Sequence, residues 1–359
     1  MSGPPVIIEP NYFEEAYKLK SRLLDEWAKV IKGKSDALKL ALVGLLNRHG
    51  HILMEDMPGV GKSILAETVA RSTSLEYKRI QSTPDLMPAD VTGLSIYNEK
   101  TKEFNYQPGP IFANIVLADE LNRTTAKTGS AFLEGMSNLT VTIDGITRDL
   151  PAPFLAIATQ NPVEQEGTFN LGNAQLDRFM MRISIGYPDK EAELEIIRSQ
   201  KTGHPIKNVQ PVISGEQIMQ LRQALRLSPR EGGLVYMDKL IEEYIIDIVD
   251  ATRKEALGPK ATRLLEYGAS PRGSLRLVDA ALAYAFIQEI RYVTPSMIRD
   301  LAVPVLAHRT TPNYRHETLK RGLTTTEMSE KAIELVVDTV PRPDAYKDDW
   351  DEESNNSSD

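Results

Sequence analysis

The stretch MEDMPGVGKSILAET, residues 54–68, combines a turn-rich loop with a lysine and a serine at the start of a run of helix-forming residues. It matches the phosphate-loop pattern G-x-x-x-x-G-K-[ST] except at the first glycine, which is Asp56 here. Residues 58–61 still allow a tight loop whose backbone N–H groups converge on an anion. Lys62 would then contact the β- and γ-phosphates of a nucleotide, and the Ser63 hydroxyl would bind Mg²⁺.

The neighbours of this loop supply the context that such a motif needs. HILMED, before it, is typical of a short buried strand, and KSILAETVARS, after it, is typical of a helix. A helix N-terminus carries partial positive charge and would lie under the phosphates. The alternative is a simple Gly/Pro turn with a solvated lysine.

A second candidate group of polar residues ends the apolar stretch IVLADE. At the tip of a buried strand, Asp119 could orient Mg²⁺ through its waters, and Glu120 could polarise an attacking water molecule. An acidic pair at a strand end is more often a solvated terminus or a helix cap. Downstream of a phosphate loop in an α/β pattern, however, the tips of parallel strands share the edge where ligands bind.

Three further segments carry polar residues suited to the same chemistry. LAIATQNP predicts a strand with Gln160 and Asn161 at its tip, where a neutral amide could position a water molecule beside the γ-phosphate, although Asn-Pro is also a common turn. In NAQLDRF, Arg178 could stabilise transition-state charge on a neighbouring subunit, or form an ordinary surface salt bridge. In YGASPRGS, Arg272 would begin a helix from which it could reach the phosphates.

The elements that must position these residues alternate between strand and helix from His51 to about Gln200. Buried strands are predicted for HILMED, YKRIQ, NIVLADE, FLAIATQ and RISIGY. This alternation predicts a parallel sheet covered on both faces. Two amphipathic helices precede it, the second with Ser35 as its N-cap. From about Ser214 the pattern predicts helices only, one of them with Thr294 as N-cap and Pro295 at its first position.

Two segments interrupt the alternation. NEKTKE separates two runs of alternating polarity in LSIYNEKTKEFNYQPGPIF, and Asp144-Gly145 is a strong two-residue turn signal in LTVTIDGITRDL. Both predict β-hairpins that a plain sheet does not need. Such insertions are usually solvent-exposed extras, but their proximity to the candidate site makes a substrate-contacting role worth testing.

Composition restricts the function classes. The chain has 359 residues, 41% hydrophobic and 26% charged, and no cysteine, which excludes disulfides, thiolate metal sites and a cysteine nucleophile. The formal charge of −8 is concentrated in residues 347–359, where one lysine accompanies six acidic residues. Nucleic acid is therefore disfavoured as the main partner. Neither a signal peptide nor a membrane-spanning run is recognised, which predicts a cytoplasmic protein without membrane insertion.

The ordered set MPGVGKS, GPIFANIVLADELNR, LEGM, ATQNP, QLDRF, YPDKEAE and GASPRG resembles the MoxR family of AAA+ ATPases, from about Val30 to Arg342. The resemblance implies an α/β fold: a P-loop AAA+ parallel-sheet nucleotide-binding domain followed by a small all-helical lid domain. It places these domains at residues 1–203 and 204–341, with a helix-2 insert at about 91–108, a pre-sensor 1 hairpin at about 139–150 and an acidic disordered tail at 342–359.

The same resemblance implies a role for each candidate residue. Asp119 and Glu120 belong to Walker B, with Asp119 and Ser63 as metal ligands, while Asn161 is sensor 1 and Arg272 is sensor 2. Arg178 is the expected arginine finger, with Arg123 and Arg182 as competitors. The nucleotide contacts are assigned to Arg272 and to the Walker A residues Asp56, Met57, Pro58, Gly59, Val60, Gly61, Lys62, Ser63 and Ile64.

These assignments predict a Mg²⁺-dependent ATPase that forms a ring, expected to be a hexamer, and remodels or matures a protein client. The resemblance also implies a separate partner with a von Willebrand factor A domain. Two other classes of protein remain as alternatives: a nucleotide-gated binding switch with little hydrolysis, and a nucleic-acid motor. Phosphate release would exclude the switch, and DNA-stimulated turnover would favour the motor.

Overall fold

The computed structural model describes residues 12–161, 171–201, 203–228, 231–259, 262–319, 322–343 and 345. Two compact units divide the chain, Met1–Gln223 and Ala224–Asp359. Among the described residues, no helix is both long enough and apolar enough to cross a bilayer.

A five-stranded parallel sheet forms the centre of the first unit. Its strands are β1 (Ile52–Glu55), β2 (Tyr77–Gln81), β5 (Ile115–Asp119), β8 (Leu155–Gln160) and β9 (Met181–Ile183). Their spatial order is β2-β5-β8-β1-β9, and every pairing is parallel, which confirms the sheet predicted from the sequence. Residues of β1, β5 and β8 are almost completely buried because helices cover both faces of such a sheet.

Eight α-helices accompany the sheet among the described residues of the first unit. They are α1 (Tyr12–Ala28), α2 (Ser35–Leu45), α3 (Lys62–Thr73), α4 (Pro88–Thr92), α5 (Ala126–Asn138), α6 (Asn173–Leu176), α7 (Lys190–Lys201) and α8 (Gly215–Ala224). The last residue of α8 lies in the second unit. Ser35 was predicted as the N-cap of α2, but the N-cap is Lys34, which has no capping side-chain hydrogen bond. The helix begins one residue earlier because the Lys34 carbonyl already accepts the Leu38 N–H.

The two predicted hairpins are present. One consists of β3 (Gly93–Asn98) and β4 (Glu103–Pro108), and the other of β6 (Thr140–Ile143) and β7 (Ile146–Asp149). Asp144 and Gly145 have φ values of 53° and 76°, as expected for a two-residue hairpin turn in which both central residues adopt positive φ.

The hairpins enclose a groove of about 720 Å³. Ser95 in the first hairpin donates a hydrogen bond of 2.5 Å to Asp144 in the second, and the Arg148 guanidinium lies 4.0 Å from the centre of the Tyr106 ring. The hairpins are therefore joined by side-chain contacts, and the groove between them has a defined shape.

The second unit contains α9 (Lys239–Leu257), α10 (Pro271–Ile287), α11 (Pro295–Leu306) and α12 (Thr325–Asp338). Thr294 caps α11 as predicted, and its hydroxyl accepts the Met297 N–H. The unit is mainly helical, but it also holds a small antiparallel pair, β10 (Leu265–Tyr267) with β11 (Thr311–Pro312), that the helical pattern did not predict.

The division between the units falls at residue 223, whereas the sequence analysis placed the lid from residue 204 onward. Segment 204–223 belongs to the first unit because hydrogen bonds tie it there. The Val212 N–H donates to the Ser72 carbonyl at 2.8 Å, and buried Arg222 donates to the Leu45 carbonyl at 3.0 Å. Most of the predicted acidic tail, 346–359, lies outside the described residues.

Candidate functional site

The loop between β1 and α3 bends at two glycines. Gly59 has a φ of 84° and Gly61 a φ of 97°, in the region where L side chains are strained. A Cβ atom at either position would meet no atom within 4 Å, so backbone conformation rather than space requires glycine here. Gly61 is the N-cap of the twelve-residue helix α3, which therefore points its N-terminus into the loop.

Lys62 extends across this loop. Its Nζ donates to the Asp56 carbonyl at 2.6 Å and to the Gln160 carbonyl at 3.4 Å, so it lies at the carboxyl ends of β1 and β8. Burial lowers the pKa of Lys62, while nearby carboxylates act in the opposite direction; these belong to Asp56, Asp119, Glu120 and Glu55. The cation therefore lies where phosphates on the loop would meet it.

Thr159 of β8 fixes the acidic pair at the end of β5. Its hydroxyl donates to Asp119 Oδ1 at 2.6 Å and accepts the Glu120 N–H at 2.8 Å. The sequence analysis missed Thr159; its position beside Gln160 in ATQNP was the available signal. Glu120 has a φ of 54°, an uncommon value for a residue other than glycine and one often found at functional sites.

Strand β2 also reaches this acidic edge. Arg79 Nη2 lies 2.5 Å from Asp119 Oδ2, so both oxygens of that carboxylate have protein donors. Glu120 Oε2 lies 3.4 Å from Gln81 Nε2 and 3.3 Å from Arg123 Nη1. These two distances exceed the usual 2.7–3.2 Å of N–H···O hydrogen bonds, so the Glu120 carboxylate is weakly held. Sequence reasoning missed Arg79 and Gln81 because they occur in an ordinary strand.

Five of the predicted polar residues, Lys62, Ser63, Asp119, Glu120 and Asn161, line one cavity of about 290 Å³, whereas Arg178 and Arg272 do not. Its polar lining consists of Lys62, Ser63, Asp119, Glu120, Thr159 and Asn161. Asn161 is 7% exposed, so its amide is held within the cavity wall. The structure thus brings the ends of β5 and β8 to the N-terminus of α3.

A second cavity, of about 280 Å³, shares Gly59, Gly61 and Ile64 with the first. Apolar side chains form most of its wall, among them Val30, Ile31, Ile185, Pro188, Ile196 and Ile206. An apolar cavity that continues from a phosphate loop suits the base and sugar of a nucleotide. The sequence analysis did not identify this cavity, since its residues come from four separate segments and form no motif.

Comparisons with known proteins agree with this arrangement. Residues 51–181 match the model of the ATPase family associated with various cellular activities (AAA), and residues 260–331 match that of the AAA lid domain. The chain is 46% identical over 298 residues to the uncharacterized protein YeaC of Bacillus subtilis. The aligned region covers 83% of this chain and 88% of YeaC.

Chaperone MoxR1 of Mycobacterium tuberculosis is 40% identical over 295 residues, 82% of this chain and 76% of MoxR1. A crystal structure of a candidate ATPase from Cytophaga hutchinsonii superposes with a TM-score of 0.77 at 38% identity, over 89% of this chain and 95% of that one. The chain belongs to the MoxR family of AAA+ ATPases. Its first unit is accordingly a nucleotide-binding ATPase domain.

The loop residues assigned to the nucleotide in this MoxR protein fall into two groups. Those from Pro58 to Ile64 line one or both cavities. Asp56 and Met57 line neither. The Asp56 side chain points to the segment after β9 instead, where it accepts hydrogen bonds from backbone N–H groups.

Three arginines were candidates for the finger, and their surroundings differ. Arg182 forms a partly buried ion pair with Glu55 at 3.0 Å, and Arg123 contacts Glu120 of its own chain. Arg178 follows α6 and is half-buried; among the described residues, none pairs with its guanidinium. Of the three, Arg178 alone forms no ion pair within the part of the chain that the structure describes.

Arg272 lies in the second unit, at the first turn of α10. The Ser270 hydroxyl caps this helix and accepts the Arg272 N–H at 3.2 Å, while Pro271 occupies the first helical position. The predicted helix start is thus present, and the Arg272 side chain is exposed on it.

Proposed function

We propose that this MoxR-family protein is a Mg²⁺-dependent ATPase that assembles into a ring, expected to be a hexamer, and uses ATP hydrolysis to remodel or mature a protein client. The observation that carries the proposal is the single cavity in which Lys62, Ser63, Asp119, Glu120 and Asn161 converge. The similarity to Chaperone MoxR1 of Mycobacterium tuberculosis supports the chaperone-like part of this proposal.

Ser63 and Asp119 are the residues that would hold Mg²⁺. Both line the cavity, and hydroxyl and carboxylate oxygens suit an ion that keeps several waters and takes only one or two protein ligands. The ion would neutralise charge on the β- and γ-phosphates. Because Arg79 also contacts Asp119, that guanidinium must share or release the carboxylate when the ion binds.

Each remaining residue has a defined task in ATP + H₂O → ADP + phosphate. Lys62 binds the β- and γ-phosphate oxygens, and Asn161 orients the attacking water. Glu120 accepts the water proton as the new P–O bond forms and the bond to ADP breaks. Arg178 from a neighbouring subunit would stabilise the charge of that transition state, which would make hydrolysis depend on assembly.

Glu120→Gln should bind ATP normally but hydrolyse it at least tenfold more slowly, since losing the proton acceptor raises the barrier by about 1.4 kcal/mol or more. Phosphate release measures the rate, and calorimetry measures ATP affinity. Glu76→Gln is the matched control, because that carboxylate is exposed at the other end of the sheet, beside the start of β2. Near-normal turnover of Glu120→Gln would assign the role to another carboxylate.

We assign client contact to the groove between the two hairpins. Phe104 is 71% exposed and Ile146 57% exposed, and both line the groove, so apolar surface is available there. A separate protein with a von Willebrand factor A domain is the expected partner in this assembly.

Phe104→Ser in the Glu120→Gln background should reduce the amount of client that copurifies, while ATP affinity stays unchanged, because the groove is distinct from the nucleotide cavities. Quantitative mass spectrometry of the two purified variants provides the measurement. Leu257→Ser, which is also highly exposed but lies on α9, serves as the matched control. If the same amount of client copurifies with and without the Phe104→Ser substitution, the groove does not bind the client.

A further inference from the structure

Asp56 occupies the position where the phosphate-loop pattern has its first glycine, and its carboxylate is buried. One oxygen, Oδ2, accepts three hydrogen bonds. They come from the Ile185 N–H at 2.5 Å, the Gly186 N–H at 2.8 Å and the Ser184 hydroxyl at 3.1 Å. Hydrogen bonds to an ionised acceptor are the stronger kind, so this is a firm connection.

The three donors belong to the segment that follows β9, and two of them help to form the apolar cavity. Ile185 and Gly186 line it together with Gly59 and Gly61 of the phosphate loop. Gly186 has a φ of 65°, so this segment turns sharply at the place where Asp56 holds it. A single side chain thus joins the start of the phosphate loop to the wall of the apolar cavity.

The phosphate loop itself is anchored by the backbone of Asp56 rather than by its carboxylate. The Asp56 N–H donates to the Gln160 carbonyl at 3.4 Å, and the Asp56 carbonyl accepts from Lys62 Nζ at 2.6 Å. Removal of the carboxylate leaves both of these bonds in place. It frees the segment 184–186 and leaves two backbone N–H groups without their acceptor.

We propose that Asp56 is a positioning residue for the nucleoside part of ATP: it holds the wall of the apolar cavity in place and does not act on the phosphates. This inference rests on the proposed ATPase function. A glycine at this position would have no side chain to make the connection. The aspartate that departs from the pattern therefore adds a link between the two halves of the nucleotide site.

The test compares ATP with inorganic tripolyphosphate, which carries the phosphates without base or sugar. Competition against a fluorescent ATP analogue gives both affinities. Asp56→Ala should bind ATP at least tenfold more weakly, while its affinity for tripolyphosphate stays within twofold of wild type. Asp56→Asn should keep ATP affinity within about threefold, because its amide oxygen has two lone pairs and can still accept from the two backbone N–H groups.

Ser184→Ala is a milder variant in case Asp56→Ala does not fold, since it removes one of the three donors from an exposed residue. It should weaken ATP binding about threefold and leave tripolyphosphate binding unchanged. Hydrogen exchange at Ile185 and Gly186 gives a readout without ligand. Exchange at these amides should be faster in Asp56→Ala than in wild type and close to wild type in Asp56→Asn.

The outcomes separate this inference from the proposed function. If wild type binds no ATP, the ATPase proposal fails. If wild type binds ATP and Asp56→Ala binds it equally well, Asp56 does not position the nucleoside. An equal loss of affinity for ATP and for tripolyphosphate in Asp56→Ala would show that the carboxylate acts on the phosphate loop. Unchanged exchange at Ile185 and Gly186 in Asp56→Ala would also overturn the inference.

Discussion

Lys62→Ala is expected to abolish measurable ATP binding. Among the described residues that line the phosphate cavity, Lys62 is the only cation, and it shares that cavity with the carboxylates of Asp119 and Glu120. Without it, the phosphates would face two negative charges, and no lysine or arginine of the described lining would oppose them beside the loop N–H groups and the proposed Mg²⁺. Isothermal calorimetry with Mg²⁺ and ATP measures the loss.

A matched control for this experiment is Lys78→Ala, which removes an exposed lysine from β2. Its ATP affinity should equal that of the wild type. Lys62 also bonds the carbonyls of Asp56 and Gln160, so its removal could loosen the loop itself. Thermal unfolding of both variants checks that the fold persists. Wild-type ATP affinity in a folded Lys62→Ala protein would remove Lys62 from the nucleotide site.

The sheet and the polar part of the site could be predicted because both depend on local sequence. Buried strands are apolar runs, and parallel strands place their carboxyl ends at one edge, so the residues that follow IVLA and LAIAT had to lie together. Asp119 was assigned from its place at a strand tip downstream of the phosphate loop, and Lys62 from the phosphate-loop pattern itself. The Asp144-Gly145 hairpin is another case, in which two residues specify a turn type.

Other features could not be predicted because they depend on contacts between distant segments. Arg79 lies on β2, and only the pairing of β2 with β5 brings it to Asp119. The apolar cavity is built from residues as distant as Val30 and Ile206, and isoleucine and valine at such positions are indistinguishable from core residues in the sequence. The pairing of β10 with β11 in the second unit also depends on contacts between segments that are distant in the sequence.

The placement of segment 204–223 depends on a buried arginine. The helical pattern of this segment predicted a lid element, but Arg222 is buried and donates to the carbonyls of Leu45 and Phe154 in the first unit. Burial lowers the pKa of Arg222 to about 10, so it remains charged at neutral pH. Long charged side chains that satisfy backbone carbonyls cannot be told from surface residues by polarity alone.

Arg178→Ala is expected to reduce turnover by roughly 10³–10⁵, the effect of losing an arginine finger, while ATP affinity changes little. The contact between Arg178 and the γ-phosphate would form mostly in the transition state, so its loss should leave ATP affinity nearly unchanged. Arg178 is favoured because Arg182 forms an ion pair with Glu55 and Arg123 contacts Glu120 of its own chain. Phosphate release of the three alanine variants provides the comparison, and only Arg178→Ala should combine a full fold, normal ATP binding and negligible turnover.

Mixing two inactive proteins tests whether Arg178 acts between subunits. Lys62→Ala retains its finger but has no usable cavity, whereas Arg178→Ala retains its cavity but has no finger. A mixed ring contains some interfaces in which both parts are intact, so activity should reappear on mixing and rise with protein concentration. Native mass spectrometry establishes co-assembly.

If co-assembled mixtures stay inactive, or if Arg178→Ala alone hydrolyses ATP normally, Arg178 is an ordinary surface arginine. In that case Arg123, which would have to leave Glu120 to reach a neighbour, becomes the next candidate to test in the same mixture.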